Sequence, residues 1–127
     1  MSEFVLDASA LLALLNAEPG SQVVAHTIPG AAMSAVNLSE VIGKLAEAGM
    51  PEPELRHALT GLGLDVHPFD HEDAYTAGLL RPHTRTLGLS VGDRACLGLG
   101  LRLTREVITA DRSWKALEPG VKIRVIR

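Results

Sequence analysis

The chain has 127 residues, 46% hydrophobic and 21% charged, which fits one globular domain and excludes a disordered or low-complexity chain. Aromatics are only 3%, so the core must be Leu, Val, Ile and Ala, which argues against a module that grips single strands by stacking bases. Net charge is −3, which argues against a simple nucleic-acid coat.

In chain order, Phe4-Val5-Leu6-Asp7 reads as a short buried strand ending in a carboxylate. Residues 8–15 have helical spacing, with Asp7 or Ser9 as cap. Pro19 opens a second short helix through about His26, and Pro29-Gly30 is a turn. Residues 31–33 are a short strand. Ser34 caps a helix over 35 to about 48, whose predicted core stripe is Leu38, Val41, Ile42 and Leu45. Glu40 lies off that stripe, on a face shared with Asn37 and Lys44. A helix over 53–62, a strand over 65–69 and a helix over 71–80 follow, and 81–88 is a loop.

Ser90 caps a helix over 91–103, although Leu97, Leu99, Leu101 and Leu103 alternate with a strand period. Length favours the helix, and Ala95, Cys96 and Gly98 are small enough for close packing on a sheet. Gly98 and Gly100 are costly choices inside a helix. Residues 106–110 form a strand, 111–117 a helical turn or two, and 123–126 a last strand. Strands and helices alternate, so a single-domain α/β fold over 1–127, a parallel-sheet α/β/α sandwich, is expected.

Charge is uneven along the chain. Between residues 81 and 105, five Arg (81, 85, 94, 102, 105) face one acid, Asp93, leaving the segment at +4. An acidic total can thus hide a basic face, or the block is simply solvated surface. Arg81, His83, Arg85 and Arg94 are candidates to line an RNA backbone, and Arg112 to contact phosphate or pair with an acid. Trp114 is expected to pack under a loop. Cys96, the one cysteine, reads as a buried structural thiol suited to a reducing cytoplasm. No basic n-region precedes the apolar run at 8–15, and no run approaches a bilayer span, so no signal peptide or membrane segment is expected.

Four acids occupy compatible places: Asp7 and Asp111 at strand ends, Asp93 in the first turn of a helix, and Glu40 about two turns into another. In a parallel α/β sheet, strand carboxyl ends and helix starts share one edge. A pair of carboxylates 4 Å apart repels by about 4 kcal/mol at an effective dielectric near 20, so a cluster needs protons or a hard cation. Mg²⁺ and Mn²⁺ prefer oxygen ligands and can activate a water towards a phosphodiester. Each acid also has a plainer use: Asp7 and Asp111 as caps, Asp93 on the helix dipole, Glu40 as an i,i+4 partner of Lys44. His67, Asp70, His71, Glu72 and Asp73 resemble a transition-metal cluster only superficially. Pro68 keeps both His off one helix, and capping by Asp70 explains the acids.

Val5-Leu6-Asp7-Ala8-Ser9-Ala10-Leu11, Asn37-Leu38-Ser39-Glu40-Val41, Ser90-Val91-Gly92-Asp93-Arg94-Ala95-Cys96-Leu97 and Thr109-Ala110-Asp111-Arg112-Ser113-Trp114 together resemble the PIN-domain family, and within it the VapC ribonuclease toxins of toxin–antitoxin pairs. The resemblance spans essentially the whole chain. It implies a Mg²⁺- or Mn²⁺-dependent endoribonuclease with Asp7, Glu40, Asp93 and Asp111 as the acidic quartet, Asp7 and Asp93 being the principal metal ligands. Thr109 and Ser9 would orient carboxylates or water. It also implies a homodimer and a VapB-like antitoxin. Two other readings stand beside it. A phosphatase of the haloacid-dehalogenase kind would use Asp7 as phosphoryl acceptor but usually carries a second Asp where this chain has Ser9. A non-catalytic PIN-like module would only bind a partner protein.

Overall fold

A computed structural model describes residues 3–117 and 120–127. Five parallel strands form one sheet in the order β3-β2-β1-β4-β5: β1 is Phe4–Leu6, β2 Ala32–Ser34, β3 Asp65–His67, β4 Glu106–Thr109 and β5 Ile123–Val125. Helices α1 (Ala8–Leu15), α2 (Ser21–Ala25), α3 (Ala35–Glu47), α4 (Glu52–Thr60), α5 (His71–Leu79) and α6 (Val91–Leu103) supply the crossovers. The three central strands are buried on both faces, and their side chains alternate between them. Leu6, Met33 and Ile108 point to one side, where they pack with Ala10 and Leu11 of α1, Val24 of α2, Val41 and Leu45 of α3 and Leu55 of α4. Val5, Ala32 and Val107 point to the other, against Cys96, Leu97 and Leu99 of α6 and Trp114. The expected α/β/α sandwich is therefore the fold, and the expected order of elements holds from β1 to β5.

Three details differ from expectation. Residues 82–87 form a 3-10 helix opened by Pro82, not a loop; proline suits that first position because the N–H it lacks would have no partner there. The buried line of α3 runs through Asn37, Val41 and Leu45, while Ile42 is 37% exposed. Leucine spacing shows that a stripe exists but not where the neighbouring α6 will meet it. The third is Arg94, which is only 6% exposed and donates to the Ala77 carbonyl (3.0 Å) in the last turn of α5. Its cation serves the carbonyl end of that helix, so it is withdrawn from any basic face. Arg102 lies within 3.5 Å of Asp73. Of the arginines read as one patch, Arg81 and Arg85 stay exposed, as does His83 between them in the chain.

The glycines of α6 explain why a helix won over the alternating pattern. A Cβ on Gly100 would stand 2.5 Å from Val107 Cγ2, and one on Gly98 3.1 Å from Thr76 Cγ2. The helix lies this close to β4 and α5 only because both positions are bare. Gly100→Ala gains about 1 kcal/mol of helix propensity, but Val107 is buried and β-branched and cannot swing aside. Overpacking of this kind costs about 1–3 kcal/mol. We expect net destabilisation in urea titration; a stabilised variant would show that α6 is free to lift.

The strand order places the site. The chain builds outward from β1 to β3, then returns to the other side of β1 to add β4 and β5. That reversal leaves a crevice beyond the carboxyl ends of β1 and β4, where sheets of this kind bind their ligands.

Candidate active site

Asp7 follows β1 and stands in that crevice, only 4% exposed. Its backbone continues the β1–β4 ladder, its N–H donating to the Ile108 carbonyl (3.2 Å). Its carboxylate caps α1. Oδ1 accepts from Ala10 N (2.8 Å) and Ser9 Oγ (2.8 Å), and Oδ2 accepts from Thr109 Oγ1. Burial pushes the Asp7 carboxyl up to about 6, against the hydrogen bonds from Thr109, Ala10 and Ser9 that lower it; the negative charge of Asp93 adds to the rise.

The two hydroxyls carry this arrangement across to β4. Ser9 Oγ accepts from Ala110 N (2.9 Å), and Thr109 Oγ1 accepts from Asp111 N (3.1 Å). Asp111 in turn caps the 3-10 turn Arg112–Ala116, its Oδ1 accepting from Ser113 N (2.9 Å) and Ser113 Oγ (2.7 Å). The other carboxylate oxygen of Asp111 has no protein hydrogen bond among the described residues.

Asp93 enters from α6. It closes a capping box with Ser90: Asp93 N donates to Ser90 Oγ (3.1 Å) and Ser90 N donates to Asp93 Oδ2 (3.0 Å). Glu40 enters from α3, whose N-terminal Ser34 cap accepts from Val36 N. Asn37 Nδ2 donates to Glu40 Oε1 (3.1 Å) and to the Gly92 carbonyl (3.0 Å), which ties α3 to the first turn of α6. A Cβ on residue 92 would stand 2.0 Å from Glu40 Oε1. Only glycine lets that carboxylate lie against the α6 backbone, one residue before Asp93. The Glu40–Lys44 ion pair weighed from the sequence is not formed.

Cys96 is the single cysteine of the chain. It is fully buried behind the crevice; burial pushes its thiol well up, and the charges of Asp7, Asp93 and Glu40 push it further. Thr109 links Asp7 to Asp111, Asp93 stands in the first turn of α6, and Glu40 Oε1 lies against Gly92 in that same turn. The acids do not form a closed cage: among the described residues no three His, Cys, Asp or Glu side chains are grouped tightly enough to enclose an ion. The donor chemistry nevertheless fits a hard cation. All the candidate ligands are carboxylate oxygens, and the bare Gly92 holds room for one of them.

Sequence reasoning named all four acids and both hydroxyls but assigned no role to Asn37 or Gly92. The available signal was spacing: Asn37 lies three residues before Glu40, on the same helical face. Around the crevice, Arg112 is exposed and donates through Nε to the Arg127 carbonyl (3.0 Å). Trp114 is fully buried against the second core, as expected. At the far end of β3, His67 contacts Asp65 (2.8 Å) and Arg102 (3.3 Å), and Asp70 forms a capping box with Asp73. The acids there cap α5, as the sequence suggested.

A family model for the PIN domain matches residues 4–118. The chain belongs to the PIN domain family. Solved structures share its fold at low identity. A toxin–antitoxin complex from Klebsiella pneumoniae superposes with a TM-score of 0.77 at 17% identity, covering 97% of each chain. DNA-bound VapBC from Salmonella typhimurium gives 0.75 at 20% identity over 100% of each chain. VapBC-1 from nontypeable Haemophilus influenzae gives 0.72 at 17% identity over 96% of each chain. No curated protein matches the sequence significantly.

Proposed function

We propose that this PIN-domain chain is a Mg²⁺- or Mn²⁺-dependent endoribonuclease and the toxin of a type II toxin–antitoxin pair. The observation that supports the enzymatic part is the set of hydrogen bonds by which Thr109 and Ser9 join Asp7, at the end of β1, to the Ala110–Asp111 backbone at the end of β4, where the strand order reverses. Asp7 and Asp93 would be the main ligands, with Glu40 and Asp111 completing the set through oxygens not already hydrogen-bonded. A divalent ion there would polarise a phosphodiester and activate a water for in-line attack. The protein's own groups orient. Ser9, Thr109 and the Ala10 amide fix both Asp7 oxygens, and the Ser90 cap holds Asp93. No side-chain nucleophile is required. Arg81, His83 and Arg85, exposed on the 3-10 segment, and Arg112 beside Asp111 are available to RNA phosphates, which position a strand without reading its sequence.

The toxin assignment rests on the family together with the VapBC complexes that share the fold. It brings a VapB-like antitoxin, a homodimer and a cytoplasmic location. Among the described residues no helix is long and apolar enough to cross a membrane. Purified protein freed of any partner is expected to cut total RNA with Mg²⁺ or Mn²⁺ and to stop when EDTA is added, with the new ends mapped by sequencing. Cleavage that persists in EDTA would refute the mechanism. Absence of cleavage with either ion would favour the partner-binding module.

A further inference from the structure

The tie between α3 and α6 leaves an unusual remainder. Asn37 is 1% exposed, and its single amide nitrogen serves two acceptors on two helices, Glu40 Oε1 and the Gly92 carbonyl. Its own Oδ1 is buried and has no hydrogen-bond partner. Rotating the amide would not help, because Oδ1 would then face two acceptors. A group chosen for stability alone would not leave a buried acceptor orphaned, since an unmade bond there is costly. An apolar side chain of similar volume would remove that cost. What Asn supplies and an apolar residue cannot is two N–H groups, one for the Glu40 carboxylate and one for the Gly92 carbonyl.

We propose that Asn37 is a positioning residue for ion binding: its amide clamps Glu40 onto the bare α-carbon of Gly92, in the turn of α6 that carries Asp93. This rests on the reading that these carboxylates hold the ion. Groups that orient metal ligands typically change affinity about 10–100-fold when removed. Asn37 acts through Glu40, so its removal should matter only while Glu40 is a ligand.

The test is calorimetric titration of the full chain with Mn²⁺, without RNA, alongside urea denaturation in EDTA. Asn37→Leu is expected to bind Mn²⁺ about 10–100-fold more weakly than wild type while still unfolding cooperatively in EDTA. The Asn37→Leu, Glu40→Gln double variant should bind no more weakly than Glu40→Gln alone. Asn37→Ser, with one donor in place of two, provides a second reading if the leucine variant fails to fold, and should fall between. Wild-type affinity in Asn37→Leu, or stability loss with affinity intact, would make Asn37 an ordinary interhelical tie and overturn the proposal. A wild-type chain that binds no Mn²⁺ would overturn the ion-binding reading itself, and the proposal with it.

Discussion

Asp7→Asn is expected to cut RNA cleavage on the order of a hundredfold or more, the scale of losing one charge-stabilising group, and at the same time to make the metal-free protein more stable at pH 7. The first effect follows if Asp7 is the principal ligand. The second follows from its burial. The ordinary carboxyl value is 3.8 and the folded protein holds Asp7 at about 6. An acid whose folded value is raised costs stability once ionised in the fold, and costs nothing below its unfolded value. Here the full cost at neutral pH is about 3 kcal/mol, from about 1.4 kcal/mol per pH unit of difference. Wild type in EDTA should therefore gain about 1 kcal/mol between pH 7 and pH 5, as Asp7 takes up its proton in the fold. Asp7→Asn should lack that gain. The amide keeps one oxygen for Ala10 N, and the hydroxyls of Ser9 and Thr109 can turn to accept from its nitrogen. Urea titrations at both pH values decide this; a variant less stable than wild type at pH 7 would show that the fold needs the Asp7 charge.

Asp93→Asn is expected to lose cleavage to a similar degree, on the order of a hundredfold or more, with stability slightly lower in place of higher. Asp93 is partly exposed in the first turn of α6, and its charge sits favourably on that helix's dipole. Removing the charge there costs about 0.3–1 kcal/mol. The Asn oxygen can still accept from Ser90 N, so the capping box survives in part. The same chemical change at two members of one site should therefore move stability in opposite directions, because one carboxylate is buried and the other is not. A thermal melt in EDTA reads the difference. Undiminished cleavage by Asp93→Asn would remove this acid from the site.

Much of this was legible in the sequence because local rules and global topology agree. Phe4-Val5-Leu6 followed by a capping Asp marks both the first strand and its functional end. Ser90 with Asp93 announces the start of α6 despite the strand-like leucines that follow, and Asp111 after Val107-Ile108-Thr109 marks the end of β4. The plainer uses also hold for three of these acids: Asp7 and Asp111 cap a helix and a turn, and Asp93 lies in the first turn of α6, where the dipole favours it. Capping and site formation coincide because helix starts and strand ends share one edge of a parallel sheet.

What was not legible depends on which element lies opposite. Hydrophobic period counted Ile42 into the core and passed over Asn37, since a polar side chain facing the core scores as surface until its partners are known. Arg94 counts as basic surface by composition, yet the open carbonyl end of α5 claims it. Gly98 and Gly100 read as weak points in a helix, and Gly92 carried no reading at all. Their value lies in what would otherwise collide with them: Glu40, Thr76 and Val107. Glu40 and Thr76 are remote in sequence from their glycines, and Val107 comes on the strand after the helix of Gly100.

Anomalous scattering from crystals soaked in Mn²⁺ tests the central premise most directly. A peak bridging Asp7 and Asp93, with Glu40 in reach and lost in Asp7→Asn, is the expected map. An RNA-cleaving protein whose manganese lies elsewhere, or nowhere, would contradict the account.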